Sequence, residues 1–105
     1  MFQKAYDFLG LAQRAGQLQS GDAAAEATIK KGKCKLVLLA VDASDRTREH
    51  FIKLADYNKV PWIESGEKLK FGLALGKSPR SVVVITEKGF AIKLRLLFGT
   101  AEGNF

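Results

Sequence analysis

The chain holds one cysteine, one histidine and two prolines in 105 residues, and these scarcities exclude several kinds of chemistry. A lone Cys34 cannot close an internal disulfide. Set between Lys33 and Lys35 at the head of an apolar run, it reads as a reduced, structural thiol of a cytosolic protein. Nucleophilic catalysis needs a base within hydrogen-bond reach of a Ser, Cys or Thr, and the single His50 lies in a charged helical stretch, the setting of a partly exposed helix residue. One Cys, one His and scattered carboxylates do not make a metal-ligand set, and Asp45, the nearer of the Asp42/Asp45 pair to a helix start, is explained by capping. Gly21, Gly32 and Gly66 lie too far apart to form a phosphate loop or a dinucleotide fingerprint. The expectation is a protein that is not an enzyme and carries neither metal nor cofactor.

Long apolar runs are missing too. Leu36 to Val41 falls far short of the ~20 residues that span a bilayer, and the N-terminus lacks a basic region followed by an apolar core and cleavage site. A cytoplasmic protein without membrane contact is expected.

What is abundant is positive charge. Seventeen Lys and Arg against eleven Asp and Glu leave a formal charge of +6, which biases a small domain toward polyanions through counterion release. Apolar residues make up 47% of the chain, enough for one compact core. One domain over residues 1–98 is expected, with 99–105 as a frayed tail.

The pattern alternates helices and strands. Phe2, Ala5, Tyr6, Leu9 and Ala12 recur at helical spacing, and Gly16 ends that first helix. Gln17 to Ser20 alternates as a short strand. Ser20-Gly21-Asp22 then offers a hydroxyl cap and an acid to a second helix that runs to about Lys31. Leu36 to Val41 fits a strand buried on both faces, and Ser44 caps a third helix ending near Asn58. Val60 to Glu64 is a strand tolerant of Pro61, Glu67 to Leu75 a fourth helix, Ser81 to Thr86 a strand, and Thr86-Glu87 caps a last helix carrying Phe90, Ala91, Leu94, Leu97 and Phe98. Short connections between such elements imply an α/β fold, a three-layer α-β-α sandwich around a small four-stranded mixed sheet.

In that sandwich the starts of the second and third helices and the loop Lys77 to Arg80 project from one end of the sheet. Lys30, Lys31, Lys33 and Lys35 leave the second helix, Arg46 and Arg48 open the third, and Lys77 and Arg80 flank the exit of the fourth. One positive rim is expected, with Ser20-Gly21 adding a helix N-terminus suited to phosphate.

The order Ser20-Gly21, Gly32, Lys35-Leu36-Val37-Leu38-Leu39-Ala40 with Asp42, Val60-Pro61 and Leu75-Gly76-Lys77 resembles the L-seven-Ae ribosomal protein family with its L-thirty-e-like relatives, in its small bacterial YlxQ-like branch. The resemblance covers about residues 4–98. It implies an α-β-α sandwich that binds kink-turn RNA, a sharply bent internal loop with tandem G·A pairs, within ribosomes and other ribonucleoproteins. Carried over by position, Gly21 is the glycine that lets the backbone approach RNA, and Asp22 follows it. The family's base readers Asn, Glu and Lys correspond to Ala23, Ala24 and Ala27, which implies relaxed or altered specificity. Arg48 takes the place of an apolar residue set against a splayed base, where its planar guanidinium can stack. Lys77, Ser78, Pro79 and Arg80 match the loop that touches an extruded nucleotide, with Pro and Arg in swapped order.

The expected RNA-binding set is therefore Gly21, Asp22, Lys31, Arg46, Arg48, Lys77, Ser78 and Arg80 on a monomer whose partner is structured RNA, ribosomal or kink-turn-like. The alternative is a protein-interaction module on the same fold, whose alanine-rich second helix forms a flat docking face.

Overall fold

The computed structural model describes residues 2–99 and 101–103. Its elements follow in the order α1 (Gln3–Arg14), β1 (Leu18–Ser20), α2 (Asp22–Lys30), β2 (Leu36–Leu39), α3 (Asp45–Tyr57), β3 (Trp62–Glu64), α4 (Lys68–Leu75), β4 (Val82–Ile85), α5 (Lys88–Phe98) and β5 (Ala101–Gly103). The sheet order is β1-β4-β2-β3-β5, with β2 and β3 parallel and every other pair antiparallel.

The four strands expected from the sequence form the mixed sheet, and the α-β-α layering holds. Along β2 and β4 every residue is buried, because alternate side chains enter two different cores. Leu36, Leu38, Val83 and Ile85 face α1, α4 and α5, where Tyr6, Phe71 and Phe98 meet edge to face. Val37, Leu39, Val82 and Val84 face α2 and α3, packing on Ala25, Ile29, Phe51 and Ala55. Each such apolar side chain stabilises the fold by roughly 1.5–3 kcal/mol.

A fifth strand lies within the segment expected to fray. Ala101–Gly103 pairs with β3 in the register Trp62↔Gly103 to Glu64↔Ala101, supplying partners to the N–H and C=O groups along the outer edge of β3. The remaining tail positions 100, 104 and 105 lie outside the described residues.

Local signals settle most of the helix ends. Ser44 accepts from the Thr47 N–H at 3.2 Å, and Glu87 accepts from the Gly89 and Phe90 N–H groups at 2.9 and 2.8 Å. Two ends differ from expectation. No side chain caps α2, because the Ser20 hydroxyl accepts instead from Arg80 Nε at 3.2 Å. Helix α4 takes its cap from a distant residue, the Asp42 carboxylate accepting from the Lys68 N–H at 2.9 Å. Helix α4 buries Phe71 and Leu75 and leaves Leu69 and Leu73 exposed. Among the described residues no helix is long and apolar enough to cross a membrane.

Candidate RNA interface

Strand register decides which loops share an end of the molecule. Ser20 pairs with Val83, Leu39 pairs with both Val82 and Glu64, and so the exits of β1, β2 and β3 and the approach to β4 lie together. Backbone bonds tie these segments into one rim: Gly21 N–H to Val82 O at 3.1 Å, Ala40 N–H to Ser81 O at 2.9 Å, Val41 N–H to Gly66 O at 2.8 Å and Arg80 N–H to Lys68 O at 3.1 Å. The expected convergence of the α2 start, the α3 start and the Lys77 loop is what the structure shows.

Gly21 sits at φ 92°, ψ 157°, a conformation that essentially only glycine visits. Nothing lies within 4 Å of where its Cβ would stand, so the constraint is the backbone angle rather than crowding. Ala25 N–H makes the first bond of the helix, to Gly21 O. The earlier N–H groups of α2 have no side-chain cap and remain at the positive end of the helix.

The Lys77–Arg80 loop runs back along α4, held by Lys77 N–H to Gly72 O at 2.8 Å. The fit needs glycine, since a Cβ at Gly72 would stand 2.5 Å from Ser78 O. Arg80 donates to both Ser20 and Ser78, fixing the loop against the end of β1. Lys77 and Ser78 are exposed.

At the α3 start, Arg46 is exposed and lines a hollow of about 440 Å³ with Asp22, Ala23 and His50. Arg48, expected to stack on a base, is engaged within the protein. Its Nε donates to Glu64 Oε2 at the end of β3, and that bond raises the guanidinium pKa further, keeping it charged. His50 is exposed, as expected, with Nε2 at 2.6 Å from Glu26 Oε1. Bonds from Lys30 and then His50 hold the Glu26 carboxyl below its usual range.

Lys31 is not at the rim. It follows the last turn of α2, a helix rising ~1.5 Å per residue away from Gly21, and its loop leads to Lys35, whose N–H meets Ile85 O at the opposite end of β4. Lys33 and Lys35 share that end. The rim is also not simply positive: Arg46, Arg48, Lys68, Lys77 and Arg80 stand among Asp22, Asp42, Asp45, Glu64 and Glu67. Counting charge along the chain could not show this, because Glu64 and Glu67 reach the rim only through the parallel pairing of β3 with β2.

Sequence reasoning also missed Val41 and Lys68. The apolar run containing Val41 continues past the strand, and its last side chain is 57% exposed beside the rim. Cys34 is buried, its Sγ 3.3 Å from Leu36 O, and burial pushes its thiol pKa up to about 12, so it stays protonated. Among the described residues no group of His, Cys, Asp and Glu is placed to hold a metal ion.

The chain is 38% identical over 89 residues, 85% of its length and 89% of the relative's, to a Bacillus subtilis protein named RNA-binding protein YlxQ. A protein of the same name from Enterococcus faecium is 38% identical over 90% of this chain and 91% of its own. A solved Bacillus halodurans structure of unknown function superposes with a TM-score of 0.86 at 31% identity, covering 92% of this chain and 98% of that one. A Giardia lamblia 15.5kD RNA binding protein shares the fold, with a TM-score of 0.71 at 23% identity over 88% of this chain and 85% of its own. The two bacterial relatives and the Giardia protein are named for RNA binding. Residues 3–95 match the model of the Ribosomal protein L7Ae/L30e/S12e/Gadd45 family, and the chain belongs to that family.

Proposed function

We propose that this chain is an accessory RNA-binding protein of the translation apparatus, whose rim takes a bent, kink-turn-like RNA with relaxed specificity. The observation that carries the reading is the convergence of Gly21 and the uncapped start of α2 with Arg46, Arg48 and the Lys77–Arg80 loop at one end of the sheet. In the YlxQ relatives, the name itself is RNA binding.

Each element has a chemical task. The N–H groups at the α2 start and the Lys77 and Arg80 side chains meet phosphate oxygens, which position RNA without reading its sequence. Glu64 accepts from Arg48 Nε at the end of β3, and the guanidinium face stacks on an unpaired base. Ala23 and Ala27 are exposed on α2 and offer no polar atom to a base edge. Each missing reader removes on the order of 1–3 kcal/mol of discrimination, so shape and backbone contacts dominate.

The test is a titration with an internal-loop RNA and a perfect duplex, each at two salt concentrations. The expected result is tighter binding of the loop RNA, weakened by salt and by Lys77→Glu with Arg80→Glu. Affinity that ignores salt and both charge reversals would sink the reading. Ala23 and Ala27 also suit a protein partner whose backbone approaches closely. A partner that stays bound after nuclease treatment would favour that second reading.

A further inference from the structure

At the end of the sheet opposite the rim, cations outnumber acids among the described residues. Lys31, Lys33 and Lys35 occupy the loop from α2 to β2, Lys59 the loop from α3 to β3, and Lys88 the first turn of α5, all at the end where Leu36 pairs with Ile85 and Val37 with Trp62. All five side chains are exposed, and among the described residues none of their ammonium groups is in an ion pair. Among the described residues the acids of this end are already engaged: Asp56 accepts from the Trp62 indole at 3.0 Å, and Glu87 caps α5. Lys35 and Lys88 line one hollow of about 380 Å³ together with Pro61.

A highly exposed aromatic ring lies at this end as well. Tyr57, the last residue of α3, is 86% exposed, more than any other large apolar side chain described, and it lies two residues from Lys59. Unpaired lysines meet a phosphate backbone, and an exposed ring gives an unpaired base a face to stack on, a combination that tolerates any sequence. An acidic protein segment would use the lysines but has no need of the ring.

We infer that this far end is a second RNA-contacting surface, which takes single-stranded RNA through Lys31, Lys33, Lys35, Lys59 and Lys88 with a base stacked on Tyr57, so that one copy holds two RNA segments at opposite ends. The inference rests on the proposed RNA-binding function of the rim and adds a separate site to it. The molecule measures 30 × 27 × 24 Å, and two strands held at its opposite ends do not collide.

The experiment uses the full chain, a labelled oligouridine of about 20 nucleotides as a structureless probe, and the internal-loop RNA as the rim probe. The variant Lys31→Gln/Lys33→Gln/Lys35→Gln/Lys59→Gln/Lys88→Gln replaces exposed, unpaired side chains, and a thermal melt confirms that it folds. Oligouridine affinity should fall at least about tenfold at low salt, and the logarithmic salt dependence should flatten by about 0.7 for each lysine that meets a phosphate. Tyr57→Ala alone should weaken oligouridine on the order of tenfold without changing its salt slope. Unlabelled oligouridine should leave the internal-loop RNA bound.

Unchanged oligouridine binding in the lysine variant overturns the inference, as does displacement of one RNA by the other. Oligoglutamate that binds as tightly as oligouridine, with both insensitive to Tyr57→Ala, would overturn it in favour of an acidic protein partner. If the internal-loop RNA binds and oligouridine does not, the second site falls and the rim reading stands. If neither RNA binds, both fall.

Discussion

The two ends of the sheet carry cations in different company. At the rim Arg48 is held by Glu64, Arg80 by Ser20 and Ser78, and the remaining cations lie among acids that arrive from β2 and β3. At the far end Lys31, Lys33, Lys35, Lys59 and Lys88 stand free beside acids already committed to Trp62 and to the start of α5. Held cations present donors in fixed directions, whereas free lysines neutralise phosphate without fixing its position. A net charge of +6 therefore says little about where specific contact is made: the rim has the geometry, and the far end has a cluster of unpaired lysines.

Perturbations that touch one end alone sharpen this contrast. The largest effect belongs to Gly72→Ala, whose Cβ would meet the Ser78 carbonyl at 2.5 Å and push the Lys77–Arg80 loop off α4. Thermal melts should show a loss of about 2–3 kcal/mol, the scale of overpacking, with internal-loop RNA binding reduced and oligouridine binding kept. Equal losses for both RNAs would mean that the ends are not separate. Next comes Gly21→Ala, which forces a side chain into a backbone region reserved for glycine and should cost about 1–2 kcal/mol of stability, again weakening only the rim RNA. Ser44→Ala removes the cap of α3 and should lower stability by about 1 kcal/mol in the same melts.

The smallest effect tests the far end through pH. Backbone N–H groups of Gly89 and then Phe90 hold the Glu87 carboxyl below its ordinary value. A depressed folded-state pKa contributes stability that is present above the unfolded value and is lost as pH falls through the folded one. Glu87→Gln should therefore melt slightly lower than the parent at neutral pH, and the difference should close below about pH 4. A gap that widens in acid would contradict the capping geometry.

Much of the fold was legible from local pattern. The buried runs of β2 and β4 read as central strands because both of their faces are apolar, and Ser44 and Glu87 cap from within their own turns. What escaped was long-range: Arg80 takes Ser20 from 60 residues away, Asp42 caps α4 from 26 away, and Glu64 binds Arg48 from 16 away. None of these leaves a mark on local spacing. Lys31 failed as a rim residue for a related reason, since nearness in sequence to Gly21 becomes distance once nine residues of helix rise between them. The family resemblance pointed to segments that the structure brings together at the rim, while the acids that balance the rim cations became visible only with β3 set parallel to β2.

The most direct test of the rim as the RNA interface is a residue-resolved map of backbone amide shifts as an internal-loop RNA is titrated into the isotope-labelled chain. The largest shifts should fall at Gly21 and Asp22, at Arg46 to Arg48 and at Lys77 to Arg80, on one end of the sheet. Shifts centred on Lys31 to Lys35 and Lys59, with the rim amides unmoved, would contradict that placement.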